Sequence, residues 1–277
     1  MMARFLPALA LVFGLWLTGP AQAGEERAAQ IEALLEALDL EQTVEIMEAE
    51  GLRYGAQVLR DFAPDADLDS WNETVARIYD RDRMGALVRS ELATRMEGVD
   101  IAPLTAFFAS DVGARIIALE LAARRGFMQD GMEEAAQVAL GQAEGQNLPI
   151  LDQIEVLIAD SDLIERNVMG SLNSNLMFYR GLMDGGASDL GEADILADVW
   201  AQEGAVRTET EDWLRGFLLI AYQPLSAEDL EAYGALYRSV EGRALNAALF
   251  GGFNQMYEEL SYLLGRAVAE RMMSAPL

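Results

Sequence analysis

Residues 107–113 read FFASDVG, and residues 236–242 read LYRSVEG. Both stretches hold two bulky residues, at least one of them aromatic, followed by one spacer, a serine, two spacers and a glycine. Further matches follow in the same order in each copy: GFMQ at 126–129 with GFNQ at 252–255, and then Glu133 with Glu259. One pattern that occurs twice, far apart in the chain, predicts an internal duplication.

The serine and the glycine of each copy have a structural interpretation. Ser110 and Ser239 each precede a long apolar-periodic segment, where a serine hydroxyl can cap a helix by accepting from a backbone amide. Gly113 and Gly242 would each cost about 1 kcal/mol inside a helix, so we expect another backbone to approach closely there, as at a tight helix crossing. The alternative is that the bare amides at these helix starts bind an anion or a carboxylate.

Apolar residues recur at helical spacing along nearly the whole chain, and no alternating β-branched run predicts a sheet. The sequence therefore predicts an all-α protein, in which two repeated antiparallel helical halves pack into one helical array. The longest helices are expected to start at Ser110, running towards Val138, and at Ser239. Residues 141–149 (GQAEGQNLP) are the predicted linker, which gives a first helical repeat at 24–145 and a second at 146–277.

Residues 1–23 have the layout of a secretory signal peptide. Arg4 precedes an apolar run at 5–17, and Ala21-Gln22-Ala23 forms a small-x-small cleavage site. The apolar run is shorter than the roughly 20 residues that a spanning helix needs. We therefore expect a periplasmic or secreted protein that makes no stable membrane insertion after the signal is cleaved.

The composition excludes most of the usual catalytic chemistry. The 277 residues include no Cys, no His and no Lys, and all 20 basic residues are Arg. Thiol nucleophiles, Ser-His-Asp triads, histidine-ligated metals and Schiff bases are therefore ruled out. A net charge of −26 should repel nucleic acid. The expected partners are an unknown protein or small-molecule ligand, with cations, basic peptides and uncharged molecules favoured. Homo-oligomer formation stays open.

One acidic segment is a candidate for an oxygen-ligand metal site, because it resembles the start of a calcium-binding loop. Its acids stand at loop positions one, three, five and nine: Asp65, Asp67, Asp69 and Glu73. Position six is Ser70 and position twelve is Ala76, where a calcium-binding EF-hand needs Gly and Glu. A helix start rich in capping acids explains the segment better, so neither a metal nor a cofactor is predicted.

The favoured function is a non-enzymatic ligand-binding or protein-interaction module. Its predicted working surface is the face shared by the two long helices, with these residues: Phe108, Ser110, Gly113, Arg115, Gln129, Glu133, Tyr237, Ser239, Gly242, Arg243, Gln255 and Glu259. The alternative is a carboxylate-dependent cell-wall hydrolase, in which a Glu in an apolar pocket acts as general acid. The repeated pairs Glu133-Glu134 and Glu258-Glu259 are its candidates. A Glu of raised pKa in an apolar cleft would distinguish the two functions.

The repeated pattern, with Arg115 or Arg243 following the glycine, resembles the motif of the bacterial "domain of unknown function 2059" family. Two copies of that motif are identified in this one chain. The family commonly has Ser-Pro where this chain has Ser110-Asp111 and Ser239-Val240. The resemblance implies an exported, mostly helical protein, and it carries no established activity.

Overall fold

A computed structural model describes residues 20–62, 64, 67–187 and 191–274, with side chains from residue 24 to residue 273. Every regular element in these residues is an α-helix, which confirms the all-α prediction. The helices are α1 (Pro20–Ala37), α2 (Leu40–Phe62), α3 (Leu68–Ile78), α4 (Arg81–Arg95), α5 (Ala102–Phe108), α6 (Asp111–Phe127), α7 (Met132–Gly145), α8 (Ile150–Asp160), α9 (Leu163–Asp184), α10 (Glu192–Ala201), α11 (Glu203–Tyr222), α12 (Ala227–Arg238) and α13 (Val240–Ser274).

The predicted signal peptide lies largely outside the described residues. Only residues 20–23 are described, and they form the backbone of the first turn of α1. Among the helices described, none is both long and apolar enough to cross a membrane.

The most extensive helix contact is between α9 and α13, which run parallel. Gly170 of α9 lies against Asn254 of α13, and about three turns later Gly181 lies against Gly265. A Cβ added to Gly181 would lie 2.9 Å from the backbone nitrogen of Arg266, so the two backbones approach at a distance that only glycine allows. Helices α9 and α13 therefore make a close backbone contact at Gly181 and Gly265.

The two Ser-x-x-Gly segments form corners with the same hydrogen bonds. Each serine hydroxyl donates to the carbonyl three residues earlier, at 2.6 Å for both Ser110 and Ser239. Each hydroxyl also accepts from the glycine amide, at 3.2 Å from Gly113 and 2.9 Å from Gly242. Both serines thus act as the predicted helix caps.

Both corner glycines meet a backbone, but not that of a crossing helix. A Cβ on Gly113 would lie 2.6 Å from the Cα of Phe108, and a Cβ on Gly242 would lie 2.7 Å from the carbonyl carbon of Leu236. The predicted close approach of another backbone to each glycine is confirmed. The approaching backbone belongs to the preceding helix, however, and not to a crossing helix. The serine hydrogen bonds turn the chain so sharply that the new helix touches the last turn of the preceding one.

The helix expected from Ser110 towards Val138 is interrupted, which corrects the sequence prediction. It ends at Phe127, and α7 begins at Met132 after Gly131, whose φ of 80° lies in the left-handed region. The helix at Ser239 instead continues unbroken to Ser274. The two copies therefore diverge soon after the matching corners, and the duplication stays a prediction.

A break between helices does fall in the predicted linker, between Gly145 and Ile150. The core nevertheless continues across it. One cluster of buried apolar side chains includes Leu34 of α1, Ile116 of α6 and Leu264 of α13. Helix α11 packs on both α6 and α7 from the other side of the break. The division into two domains stays a prediction.

Candidate functional site

A partly open cavity of about 900 Å³ lies within the helical array. Its walls come from α2 and α6, which precede the predicted linker, and from α9, α11, α12 and α13, which follow it. The lining mixes apolar, aromatic, amide, hydroxyl and charged side chains. Protein interiors are normally packed to crystal-like density, so a space of this size with polar walls is the outstanding feature of the structure.

One end of the cavity holds a carboxylate–tyrosine cluster, which consists of Glu120, Tyr222, Tyr233 and Tyr237. Glu120 Oε1 accepts from Tyr222 Oη at 2.6 Å and from Tyr233 Oη at 2.9 Å. The hydroxyls of Tyr233 and Tyr237 lie 3.3 Å apart. No side chain in the described part of the protein donates to Glu120 Oε2. That oxygen is therefore the open acceptor of the cluster.

Burial dominates the protonation behaviour of this cluster. It raises the pKa of Glu120, and the hydrogen bonds from Tyr222 and Tyr233 oppose that rise only in part. Burial, and then the nearby Glu120 charge, raise the pKa of all three tyrosines, so their hydroxyls keep their protons. The Glu120 carboxylate thus sits in a site that does not fully compensate its charge.

The first Ser-x-x-Gly corner supports the cluster from behind. Phe107 stacks on Tyr233 with ring centroids 6.1 Å apart, and Phe108 meets the same ring edge-on at 6.4 Å. Phe108 is almost completely buried. The aromatic pair of the sequence motif therefore orients a cavity tyrosine, because the corner at Ser110 places the end of α5 beside the start of α6.

A second polar group lies one turn further along α6. Arg124 donates through Nε and Nη2 to both carboxylate oxygens of Glu50, at 2.8 and 2.7 Å, and Nη2 also donates to Tyr257 Oη at 3.1 Å. Burial alone would lower the pKa of Arg124, but the hydrogen bonds and charge of Glu50 raise it above its ordinary value. This guanidinium is neutralised by its own bidentate partner.

The other end of the cavity is aromatic. Trp213 and Phe217 stack with ring centroids 4.9 Å apart, and Phe127 meets them edge-on at 5.8 and 5.4 Å. All three rings line the cavity and are only partly buried. Glu120 and Phe127 are seven residues apart on α6, which corresponds to about 10 Å along a helix. The cavity therefore has a carboxylate end and an aromatic end on one face of α6.

The wall formed by α9 and α13 is uncharged, and it combines polar side chains with apolar ones such as Leu249, Phe250 and Phe253 of α13. Asn246 is 7% exposed and donates through Nδ2 to the carbonyl of Ser161 at 2.8 Å. Asn167 donates through Nδ2 to the carbonyl of Leu163 at 2.7 Å. Further amides and hydroxyls follow along the two helices: Ser171, Ser174 and Asn175 on α9, and Asn254 and Ser261 on α13. A polar helix face usually faces solvent, but the polar side chains of α9 and α13 line the cavity here.

Tyr237 is the one predicted site residue that lines the cavity, and Phe108 packs against its neighbour in the cluster, Tyr233. The remaining predicted residues lie elsewhere. The two corners are formed by Ser110 with Gly113 and by Ser239 with Gly242. Three charged residues have partners outside the cavity: Arg115 donates to the carbonyl of Pro224, Arg243 donates to the carbonyl of Arg238, and Glu259 pairs with Arg83. The last three are exposed: Gln129, Glu133 and Gln255. These residues are not brought together around the cavity, and a binding role for them stays a prediction.

Of the calcium candidates, Asp65 lies outside the described residues. Asp67 caps α3 by accepting from the Ser70 amide at 2.9 Å, while Asp69 and Glu73 are exposed on α3. Within the part of the chain that the structure describes, no three carboxylates are grouped so as to hold a metal ion.

Sequence reasoning missed Glu120, Arg124 and the polar face of α9. One signal was present, because Glu120 is a single acid within the apolar run 116–121 (IIALEL). Its significance depends on Tyr222 and Tyr233, which lie 102 and 113 residues away.

Comparison with known proteins gives one match. Neither a curated protein nor a solved structure matches the chain significantly. Residues 82–141, which run from α4 into α7 and include Glu120, Arg124 and Phe127, match the family model described as an uncharacterized protein conserved in bacteria (DUF2059). The second Ser-x-x-Gly corner lies outside the matched segment. The match supports the assignment of this part of the chain to the bacterial DUF2059 family.

Proposed function

We propose that this protein is a non-enzymatic binding protein, which holds a small amphipathic molecule in its central cavity. The observation that carries the proposal is the cavity itself, with about 900 Å³ of space between a carboxylate–tyrosine end and an aromatic end. Ligand sites in proteins typically measure about 300–1,000 Å³ and combine apolar walls with a few directed polar groups. The length of α6 between Glu120 and Phe127 suits a ligand about 10 Å long.

Stability alone gives no reason for this arrangement. A chain selected only to fold would fill the space with apolar side chains, since both cavities and imperfectly paired buried polar groups cost free energy. Here partly buried rings and unpaired acceptors face an open space instead. Such features are retained when a ligand completes the contacts.

The hydrolase alternative receives less support from the geometry. Its sequence candidates Glu133 and Glu259 are outside the cavity lining, and Glu259 pairs with Arg83 on α4. Glu50 is the other carboxylate that lines the cavity, and Arg124 donates to both of its oxygens. Glu120 therefore has no free carboxylate partner of the kind that paired-carboxylate hydrolysis uses.

A fluorescence titration with dansylcadaverine tests the binding proposal. This probe joins an environment-sensitive aromatic group to an alkyl amine and suits the two ends of the cavity. We expect saturable binding with a blue shift of the dansyl emission. Ser174→Trp, which fills the cavity from α9, should abolish the binding, whereas Ser90→Trp on the exposed surface of α4 should leave it unchanged. Absence of saturable binding to the unmodified protein, or equal binding by both variants, would overturn the proposal.

Export completes the proposed function, and residues 1–23 support it through their signal-peptide layout. Expression of the full chain in a Gram-negative bacterium, followed by fractionation and N-terminal sequencing, tests this part. We expect a periplasmic protein that begins at Gly24. A cytoplasmic product with the full-length mass of 30.3 kDa would contradict export but would leave the binding proposal intact.

A further inference from the structure

We infer that the ligand of this cavity is an organic cation, an ammonium or guanidinium compound, whose charged group sits at Glu120 and whose apolar part lies against Trp213 and Phe217. This inference rests on the proposed binding function and specifies its ligand class. It follows from an inventory of the hydrogen-bond donors and acceptors that the cavity leaves unused.

Glu120 supplies the first unused acceptor and a negative charge. Its Oε1 accepts from Tyr222 and Tyr233, while Oε2 faces no donor among the described residues. Each of these two tyrosines has committed its only hydroxyl proton to the carboxylate. A ligand that donates to Oε2 would therefore complete the cluster without displacing a contact.

The two asparagines of the cavity wall, buried Asn246 and partly buried Asn167, also have unused acceptors. Asn246 and Asn167 both donate to backbone carbonyls. A carbonyl only accepts hydrogen bonds, so the amide nitrogen must point at it and the Oδ1 atom must point away. Each asparagine thus uses one of its two amide protons on the protein, and its Oδ1 accepts from no donor among the described residues.

Ser161 adds a deeply buried group without a partner. It is 3% exposed, it lines the cavity, and its Oγ has no hydrogen-bond partner in the described structure. A buried hydroxyl left unpaired costs free energy. Asn246 donates to the Ser161 carbonyl, so this unpaired hydroxyl lies on the same cavity wall as Asn246.

Both cations of the lining already have carboxylate partners. Arg124 donates through Nε and Nη2 to Glu50, which neutralises its charge, and Nη2 also donates to Tyr257. Arg53 is about half exposed and lies 3.5 Å from Asp130. An anionic ligand would meet the Glu120 charge with no free guanidinium to balance it, whereas a cation would relieve the cost of burying that charge.

The net charge of the protein and the aromatic end of the cavity also favour a cationic ligand. The net charge of −26 attracts cations to the protein as a whole. The partly exposed rings of Trp213, Phe217 and Phe127 provide apolar area, and aromatic faces also attract cations. The inferred ligand therefore matches both ends of the cavity.

Three probes with the same fluorophore and similar chain length test the inference: dansylcadaverine, its neutral N-acetyl derivative and the anionic dansyl-6-aminohexanoate. Each is titrated against the unmodified protein, Glu120→Gln and the surface control Glu97→Gln, since Glu97 is exposed and outside the cavity lining. We expect the amine to bind about 10- to 100-fold more tightly than the neutral and anionic probes, as for a charge-assisted hydrogen bond. Glu120→Gln should remove this preference, and Glu97→Gln should keep it. Circular dichroism and urea unfolding confirm that each variant is folded.

The outcomes separate this inference from the function beneath it. If all three probes bind with equal affinity and Ser174→Trp blocks them, the cavity binds ligands but the inferred charge is wrong. A preference for the anion, or an amine preference that survives in Glu120→Gln, would also overturn the inference. If none of the probes binds, the proposed function itself fails. Should Glu120→Gln not fold, Asn246→Leu, which removes a second cavity acceptor, is expected to weaken amine binding more than neutral-probe binding.

Discussion

Tyr222 Oη donates a 2.6 Å hydrogen bond to Glu120 Oε1, and this contact joins α11 to α6 across 102 residues. It fixes a carboxylate at one end of a cavity whose other end is aromatic. Two carboxylates, Glu50 and Glu120, line the cavity, and among the described residues no guanidinium binds Glu120. This contact therefore positions the uncompensated charge of the candidate site.

Replacing Tyr222 by Phe should cost about 1–3 kcal/mol of unfolding free energy, because a buried carboxylate loses one of two donors. The same change should raise the pKa of Glu120 further, since a hydrogen bond to the charged form is lost. Urea unfolding measures the first effect. Tyr262→Phe is the matched control, because Tyr262 donates to Asp184 at 2.9 Å in an exposed setting. Equal losses in the two variants would contradict the importance of the cluster.

The pH dependence of stability should also report on Glu120. Burial raises its pKa in the folded protein above the value of 4.5 expected when unfolded. In the window between the two pKa values the folded state binds more protons, so this group makes stability fall as pH rises. The tyrosines of the cluster and Arg124, whose pKa values are all raised, keep their protons there. The stability of Glu120→Gln relative to the unmodified protein should therefore increase from pH 4.5 upward. A pH-independent difference in urea unfolding would contradict this account.

The corner glycines should tolerate no side chain. Gly113→Ala and Gly242→Ala each place a Cβ against backbone atoms that cannot move aside, so we expect a loss of about 3 kcal/mol in each case. Gly141→Ala on α7 is the control, because its Cβ would meet nothing within 4 Å. That change should stabilise by up to about 1 kcal/mol through helix propensity. Unchanged thermal unfolding of both corner variants would refute the corner geometry.

The Arg124–Glu50 pair should behave as a coupled unit. Arg124→Met leaves Glu50 and Tyr257 without their donor, and we expect a loss of about 1–2 kcal/mol, reduced from the value for a fully buried pair because both side chains are partly solvated. The double variant Arg124→Met/Glu50→Met should recover much of that loss in a double-mutant cycle.

An exposed ion pair provides the comparison. Arg89 lies 3.1 Å from Glu32 on the surface, and Arg89→Met should change stability by less than about 0.5 kcal/mol. Additive effects for Arg124 and Glu50 in urea unfolding would show that the cavity pair is no more coupled than a surface contact.

Local sequence features were enough to predict the helices and the capped corners. Ser110 and Gly113 act within a few residues of each other, so their pattern carries the geometry directly. The cavity was not predictable in this way. Asn167, Ser171 and Ser174 have the spacing of a polar helix face, and only the parallel packing of α9 on α13 shows that this face looks inward. The break at Gly131 was missed because the apolar period continues through it.

The most direct test of the central claim is photo-crosslinking with a diazirine analogue of dansylcadaverine, followed by peptide mapping. We predict labels on the cavity faces of α6, α9, α11 and α13, with loss of labelling when unmodified dansylcadaverine competes or when Ser174 is replaced by Trp. Labels confined to the outer surface, or cavity labels that Ser174→Trp leaves unchanged, would contradict the assignment of this cavity as the binding site.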